Sequence, residues 1–382
     1  TRRRAAQRHQ PVTGLILTGG GARAAYQVGV LKAIATIRHS CDVFSGNPFP
    51  IITGTSAGAI NAAALAGHAD HFDLAVQGLL SVWRGFHSDQ VYTADAFDTL
   101  RAGAGRVTTA VSMGMTLWRW RRTKPHSLLD NTPLAHLLDD MLQLQRLPEV
   151  MASGHLRALA VSASSYTSGN HVTFYETAQP VEPWERMQRL AVPARLSAAH
   201  LLASSAIPFV FPATLLPIEG RQEWFGDGSM RQSSPISPAI HLGAEQVLVI
   251  GAGRMHEPRD VRRETSTDYP NFAQVAGHAL SNIFLDALSF DVERLERINR
   301  TMMLLRPEAR GQTPLRHLDV LVIAPSQRLD EIAGRHLDAL SGPVRTLLEA
   351  GGARGSGRAD ARGSAFASYL LFEQPFTREL ID

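Results

Sequence analysis

The sequence predicts an α/β fold in which a mostly parallel central sheet is sandwiched by helices. Short apolar runs typical of buried strands alternate along the chain with segments whose apolar residues recur at helical spacing. Glycine-containing turns join strand to helix in two places, as expected where a strand leads directly into a helix. With 382 residues, 44% of them hydrophobic, the chain is long enough to bury a sizeable core.

The elements follow from these patterns in chain order. VTGLILT at 12–18 predicts a strand, and after GGG the apolar spacing over 24–37 predicts a helix. The same layout recurs at 50–67, where a strand, a tight turn and an Ala-rich helix are expected. Two strands, at 155–165 and 171–177, are predicted around the turn TSGN, and a helix over 196–208 is ended by a proline. A short strand and a turn are predicted over 223–230, and buried strands at 245–253 and 318–325. A long helix is predicted over 271–300.

The chain divides into three predicted segments. Residues 1–11 form a basic disordered tail, because the first ten residues carry four arginines and no acid. Residues 12–326 form one large α/β domain, since the alternation of strands and helices continues to about that point. Residues 327–382 form a helical C-terminal extension with a Gly/Arg-rich loop at 351–364 and a docked final helix.

Composition excludes several classes of protein. The net charge is +3, and the tail alone carries four positive charges, so the rest of the chain is close to neutral and a surface that binds duplex nucleic acid is not expected. Cys41 is the single cysteine, so an intrachain disulfide and a multi-cysteine zinc site are ruled out. No run of 18 apolar residues predicts a membrane span. We expect the protein to use no cofactor and no metal. The expected location is the cytoplasm, with peripheral membrane contact or secretion by a removed or non-classical signal as alternatives. The sequence indicates no oligomeric state.

The first glycine-rich turn has three interpretations. Gly19, Gly21 and Ala24 fit the loose G-x-G-x-x-A pattern of a dinucleotide-phosphate loop. That pattern needs an acid at the end of the next strand, and Asp42 has the right spacing but no convincing strand beside it. The same backbone N–H groups would suit the oxyanion of an ester hydrolase, and a plain structural turn is the third interpretation.

The second turn, GTSAG at 54–58, matches G-x-S-x-G directly between a strand and a helix. Gly54 and Gly58 permit a sharp turn that exposes the Ser56 hydroxyl at the sheet edge, beside the positive end of the helix. Ser56 is therefore a candidate nucleophile, and a serine that caps an ordinary helix is the alternative.

A nucleophilic serine needs a base. Histidines are plentiful after Ser56, but none has a distinctive setting, and His241 is better explained as structural. Asp227 follows a short apolar strand in GDGSM, which places a carboxylate at a strand end; a solvated turn aspartate is the alternative. Burial would raise the pKa of Asp227 and make it a better base at neutral pH.

Taken together, these segments resemble the patatin-like phospholipases. GGGARAAYQVGVL resembles the oxyanion segment of that family, GTSAG its nucleophile turn, LLASSAIPFVFP its helix end and WFGDGSM its aspartate turn. SLLDNTPLAHLL and FDVERLERIN resemble further segments of bacterial members, and all six lie within about 14–300 in the family's order.

The resemblance implies roles for individual residues. Ser56 would be the nucleophile and Asp227 the base of a dyad without histidine. The backbone N–H groups of Gly20, Gly21 and Ala22 would bind the oxyanion, and Arg23 would support that loop or its charge. Ser229 departs from the small Gly or Ala that the family has in its aspartate turn, and its hydroxyl would hydrogen-bond Asp227 and lower its basicity.

The function expected from this resemblance is a serine acyl hydrolase of phospholipase A or lysophospholipase type, with 12–326 as its catalytic domain. It would cleave fatty-acyl esters through an acyl-enzyme intermediate, with lipid or phospholipid as substrate. The alternatives are a carboxylesterase that acts on soluble esters, including one with a Ser-His-Asp triad, and a non-enzymatic phosphate- or nucleotide-binding α/β protein.

Two further segments bear on the substrate. Residues 106–125 carry five basic residues, no acid and two tryptophans, which suits either a bilayer interface or a packed helix with a solvated basic face. The apolar segment FVFPATLLPIEG at 209–220 would either line an acyl pocket or fill the core.

Overall fold

A computed structural model describes residues 11–93, 127–255, 272–350 and 361–382. The predictions for the basic tail, for the tryptophan-arginine segment at 106–125 and for most of the loop at 351–364 lie outside the described residues. No helix in the described ranges is long and apolar enough to cross a lipid bilayer.

One mixed sheet organises the described residues. It contains ten strands: β1 (Thr13–Leu17), β2 (Ile51–Thr55), β3 (Ala158–Ser165), β4 (His171–Thr177), β5 (Glu185–Arg186), β6 (Arg189–Pro193), β7 (Thr214–Ile218), β8 (Arg221–Asp227), β9 (Gln246–Ile250) and β10 (Asp319–Ile323). The main order is β10-β9-β1-β2-β3-β4-β6-β5, and the first five of these strands run parallel. β4 turns back antiparallel to β3, and β8 pairs antiparallel with the end of β3 and with β7.

Helices cover both faces of the sheet. They are α1 (Ala25–Ser40), α2 (Ala57–Gly67), α3 (Phe72–Arg84), α4 (Thr132–Met141), α5 (Leu147–Ala152), α6 (Ala198–Ser204), α7 (Ser237–His241), α8 (Phe272–Ser281), α9 (Ala287–Leu304), α10 (Pro307–Arg310), α11 (Leu329–Arg335), α12 (Gly342–Ala350), α13 (Ala361–Leu370) and α14 (Gln374–Ile381). A π-helical turn at Asn282–Asp286 joins α8 to α9.

Alternate side chains of the central strands enter two separate cores. Leu15 and Leu17 pack into the larger cluster, which includes α2 and α3, whereas Ile16 packs into the smaller cluster with α7 and α9. A strand buried on both faces is continuously apolar, which is why the segment around β1 was recognisable in the sequence. The α/β fold with a mostly parallel sheet between helices, and the helical C-terminal region, are confirmed.

The structure differs from the element predictions in several places. The helix predicted over 196–208 ends at Ser204, and the short strands β5 and β6 lie where no element was predicted. The helix predicted over 271–300 contains the π-helical turn, β7 lies within the apolar segment 209–220, and the final stretch holds two helices instead of one. The break between α13 and α14 has a local cause: Pro375 has no N–H to continue a helix but fits the first turn of a new one. The helices after residue 327 pack within the larger core cluster, with Tyr369 and Phe376 fully buried.

The register of the sheet decides where the predicted site residues meet. Thr55, the last residue of β2, pairs with Ser162 of β3. Asp227, the last residue of β8, pairs with Ala163, the next residue of β3. β2 and β8 therefore end head to head along one edge of β3, and Ser56 follows directly after that meeting point.

Candidate active site

Ser56 lies on a sharp turn between β2 and α2. Its backbone has φ 55° and ψ −133°, a left-handed conformation that costs a non-glycine residue about 1–3 kcal/mol. The flanking glycines have no room for a side chain: a Cβ on Gly58 would lie 2.3 Å from the Leu17 carbonyl oxygen, and one on Gly54 would lie 2.5 Å from the Ala59 Cα. The turn therefore requires the two glycines that the sequence motif contains.

The side chains of Ser56 and Asp227 are in direct contact. Ser56 Oγ donates a hydrogen bond of 2.6 Å to Asp227 Oδ2, and the two residues are 1% and 0% exposed. The other carboxylate oxygen, Oδ1, accepts from the backbone N–H of Ser229 at 2.9 Å. Both oxygens are thus oriented by donors, with Oδ2 directed at the serine.

Burial raises the pKa of the Asp227 carboxyl to about 6. The hydrogen bonds from Ser56 and from the Ser229 backbone stabilise the charged form and oppose this rise. A carboxylate with a pKa near 6 is still ionised at neutral pH and accepts a proton more readily than an ordinary aspartate.

Histidine does not enter this arrangement in the described part of the chain. No described histidine forms a hydrogen bond with Ser56 or Asp227. His241 stacks on Trp184 and lies within hydrogen-bond distance of the Ser237 carbonyl, so its setting is structural. Burial lowers the pKa of His171 and of His200 to about 4, which keeps both rings neutral.

Ser204 is a site residue that the sequence reasoning did not single out. Its hydroxyl accepts from the Ser56 backbone N–H at 2.8 Å and donates to the Ser162 carbonyl at 2.6 Å. It therefore ties the serine turn to β3 and occupies the Ser56 N–H. The only available signal was its place in LLASSAIP, where either of two serines could have been the contact.

The turn after β1 presents free backbone donors. The N–H groups of Gly20, Gly21 and Ala22 are buried and donate to no described residue. Gly21 has φ +55°, and a Cβ there would lie 2.2 Å from the carbonyl oxygen of Tyr369, so glycine is required by both conformation and space. Gly21 and Ser56 line one cavity, which places at least part of this turn beside the serine hydroxyl.

Arg23 is directed at the C-terminal helices. Its side chain is 4% exposed; Nε donates to Ser368 Oγ at 2.8 Å, and Nη2 donates to the Ala365 carbonyl oxygen at 3.5 Å. Its guanidinium also lies 4.0 Å from the centre of the Tyr369 ring. These contacts anchor the glycine turn to α13.

The Ser229 hydroxyl lowers the pKa of the Asp227 carboxyl, in the direction that the sequence predicts. Its Oγ is buried beside the Asp227 carboxylate, in a position that does not form a well-aligned hydrogen bond. The position that a Cβ on Gly19 would take lies 2.4 Å from this oxygen and 3.1 Å from Ser56 Cβ. The orphaned hydroxyl therefore sits against the first glycine turn, close to the serine.

An apolar cavity opens onto Ser56. It has a volume of about 40 Å³, and its walls come mainly from α2, α3, α4 and the chain after α6. Phe372, between α13 and α14, closes one side and packs against Trp83, Phe86 and Tyr92. Within the apolar segment 209–220, Phe211 lines this cavity, while Phe209 is 86% exposed.

The acid expected for dinucleotide binding is not at a strand end. Asp42 lies in an exposed turn after α1, well before β2 begins. Among the described residues, no three His, Cys, Asp or Glu side chains group together in a way that could hold a metal ion.

Comparison with known families identifies the chain. The Patatin profile, described as patatin-like phospholipase, matches residues 15–240, which is more than half of the sequence. The chain belongs to the patatin-like phospholipase family. Family membership supports lipid acyl hydrolase activity in general terms, and the matched residues include Ser56, Asp227 and the turn after β1. The helices that contact Gly21 and Arg23 lie outside the match.

Solved structures offer more distant similarities. VipD from Legionella pneumophila is 13% identical with a TM-score of 0.29, and the alignment covers 98% of this chain and 67% of VipD. Human GIVD cytosolic phospholipase A2 is 12% identical with a TM-score of 0.35, over 98% of this chain and 64% of that protein. The type III effector ExoU, of Pseudomonas aeruginosa, is 14% identical with a TM-score of 0.28, and the alignment covers 94% of this chain and 77% of ExoU. The chain thus spans about two thirds of the first two proteins, and no curated protein matches its sequence.

Proposed function

We propose that this patatin-like protein is a lipid acyl hydrolase in which Ser56 is the nucleophile and Asp227 the general base. The observation that carries the proposal is the 2.6 Å hydrogen bond between a buried serine on a strained turn and a buried carboxylate whose pKa is raised to about 6. A serine needs an adjacent base to act as a nucleophile, and this aspartate has both the position and the basicity.

The first half of the reaction forms an acyl-enzyme. Ser56 Oγ attacks the ester carbonyl carbon while Asp227 Oδ2 accepts the hydroxyl proton. The resulting oxyanion is stabilised by the free N–H groups of Gly20, Gly21 and Ala22, each of which is worth about 3 kcal/mol if it behaves as a typical oxyanion donor. The tetrahedral intermediate collapses, the C–O bond to the alcohol breaks, and the alcohol leaves with the proton held by Asp227.

The second half releases the fatty acid. Asp227 removes a proton from water, the hydroxide attacks the acyl carbonyl carbon, and the same N–H groups hold the second oxyanion. When this intermediate collapses, the bond to Ser56 Oγ breaks and the serine regains its proton from Asp227. No external oxidant, metal or further reactant is consumed.

The surroundings of the dyad suit an acyl substrate. The apolar cavity beside Ser56 matches a hydrocarbon chain, and transfer of each CH₂ from water into such surroundings is favourable by about 0.8 kcal/mol. Its 40 Å³ is too small for a fatty-acyl chain, so side chains of its wall move aside when the chain enters. Ser204 and Arg23 act as positioning residues, because each holds a turn and neither lines the cavity.

The test is fatty-acid release from phospholipid vesicles and from a short soluble acyl ester. Wild type is compared with Ser56→Ala and Asp227→Asn, with Ser205→Ala as the matched control because Ser205 is another buried serine that lines the same cavity. We expect both dyad variants to lose at least about a thousandfold in kcat/KM on both substrates while remaining folded. Full activity in either dyad variant would overturn the assignment.

A Ser-His-Asp esterase predicts a different result. In that case one histidine variant would be as inactive as Ser56→Ala. We expect His171→Ala and His200→Ala, if folded, to retain activity, because neither ring contacts the dyad. If the wild-type protein hydrolyses the soluble ester and not the phospholipid vesicles, it is a carboxylesterase and lipid is not its substrate.

A further inference from the structure

We propose that a second cavity, which begins at the turn after Asp227, binds the phosphate-bearing head group of an anionic lipid; this inference rests on the proposed function. The cavity lies between the Asp227 turn, the start of β6 and the π-helical turn, and has a volume of about 450 Å³. We call it the arginine cavity, since Arg189 and Arg231 line it together with Ser229, Gln232 and Asn282.

The positive charge of this cavity is not neutralised within it. No acidic side chain lines the cavity, and neither Arg189 nor Arg231 forms an ion pair with a described carboxylate. Arg189 does lower the pKa of the nearby Asp291, but the Asp291 carboxylate is hydrogen-bonded to the backbone N–H of Ile236. Two guanidinium groups without a partner carboxylate favour an anion, and guanidinium geometry suits phosphate oxygens.

Ser229 connects the arginine cavity to the dyad. It lines the cavity and is 5% exposed. Its buried Oγ makes no well-formed hydrogen bond, but it lies beside the Asp227 carboxylate and lowers the pKa of that carboxyl. The arginine cavity therefore begins at a residue that is in electrostatic contact with the proposed general base.

The position of the cavity relative to the dyad fits a lipid ester. Ser229 Oγ and Ser56 Cβ both lie within 3.1 Å of the point where a Gly19 Cβ would be, so the cavity begins close to the nucleophile. The apolar cavity is lined mainly by residues of the larger core cluster, whereas the arginine cavity is lined mainly by polar residues of the turn after β8, the start of β6 and the π-helical turn. An ester carbonyl held at Ser56 would thus have an apolar cavity for its acyl chain and a cationic cavity for its phosphate-bearing alcohol.

A binding measurement tests the cavity without relying on catalysis. Isothermal titration of glycerophosphoglycerol, a soluble phosphodiester head group, into the wild-type protein is compared with Arg189→Gln and Arg231→Gln. Arg221→Gln is the matched control, because Arg221 is an exposed arginine at the far end of β8 and does not line the cavity. We expect each cavity variant to weaken binding about tenfold, as for loss of one hydrogen bond to a charged group, and the control to bind as wild type does.

Several results would overturn the inference. The inference fails if the wild-type protein does not bind glycerophosphoglycerol, or if Arg221→Gln loses as much affinity as the cavity variants. It also fails if both cavity variants bind the head group as tightly as the wild type does. Inorganic phosphate is titrated alongside, and binding as tight as that of glycerophosphoglycerol would identify a free-phosphate site instead of a head-group site.

A second measurement connects the cavity to the reaction. Hydrolysis of phosphatidylglycerol is compared with that of diacylglycerol of the same acyl chains in mixed micelles. We expect the ratio of the two kcat/KM values to fall about tenfold in Arg189→Gln and Arg231→Gln and to stay constant in Arg221→Gln. A constant ratio in every variant would contradict head-group recognition, whereas a failure to hydrolyse any ester would contradict the proposed function and leave the titration to decide the cavity.

Discussion

The two cavities beside the dyad differ in both size and chemistry. The apolar cavity has about 40 Å³ and walls of aromatic and aliphatic side chains, whereas the arginine cavity has about 450 Å³ and carries two cationic side chains. Apolar walls close on one another because contact between them removes surface from water. Charged walls remain hydrated and apart, because burying an unpaired guanidinium is costly. Under the proposed function, the apolar cavity would take the hydrocarbon part of a lipid and the arginine cavity its charged part.

The apolar cavity depends on one aromatic residue from the C-terminal helices. We expect Phe372→Ala to lower the free energy of unfolding by about 3–5 kcal/mol, the usual cost of removing a buried phenylalanine. Phe372 is 6% exposed, and its ring lies 5.6 Å from that of Phe86. Thermal or denaturant unfolding measures the effect, with Phe209→Ala as the control, because Phe209 is 86% exposed and its removal should cost little. Equal stability of the two variants would show that the C-terminal wall does not support the apolar cavity.

Lowering the pH should reduce kcat/KM equally for a neutral ester, which needs only the apolar cavity, and for an anionic lipid, which would use both cavities. The base must be ionised, so activity is present above the pKa of Asp227, about 6, and is lost as the pH falls through it. Between pH 7 and pH 4, kcat/KM should drop about a hundredfold for a neutral soluble ester and for an anionic lipid alike. A profile that differs between the two substrates would mean that a group outside the dyad titrates with one of them.

Filling the apolar cavity should affect long acyl chains alone. Ile60 lies one turn along α2 from Ser56 and lines the apolar cavity. We expect Ile60→Phe to reduce kcat/KM about tenfold for long-chain esters relative to an acetyl ester, because overpacking of this size costs about 1–3 kcal/mol. The control is Ile34→Phe in α1, where the residue packs against the same core without lining the cavity. A uniform loss over all chain lengths would place the acyl chain elsewhere.

The smallest effect is expected on the arginine side. Ser229→Ala removes a buried hydroxyl that has no partner, so the protein should become more stable by up to about 1 kcal/mol. Binding of glycerophosphoglycerol should weaken only a few-fold, because the arginines supply most of the attraction. Unfolding and titration on the same preparation measure both quantities. A less stable variant would show that the hydroxyl has a structural partner.

Local patterns accounted for most of the elements and for the chemistry of single residues. The buried strands β1 and β2 were recognisable from continuous apolar runs. Gly54 and Gly58 were recognisable as glycines required by a sharp turn, because they flank a serine in the G-x-S-x-G pattern. Ser56 and Asp227 were found because each stands in a distinctive local motif at the end of a strand.

Contacts between distant segments were beyond local patterns. Ser204 supports the serine turn from a separate helix, and Arg189 and Arg231 reach one cavity from β6 and from the turn after β8. Nothing in the spacing of these residues marks them, because their meeting depends on how strands and helices pack. The π-helical turn beside the arginine cavity was missed for the same reason, since its sequence is as helix-periodic as its neighbours.

By itself, then, the sequence determined the strand-to-helix turns, their glycines and the two residues of the proposed dyad, because backbone conformation and periodicity are encoded within a few residues. The tertiary structure decided that these two residues touch, because the register of β3 aligns the end of β2 with the end of β8. It also decided that the C-terminal helices and the segment between them, which lie outside the family match, close the apolar cavity and anchor the glycine turn. Packing between residues hundreds of positions apart leaves no local pattern in the chain.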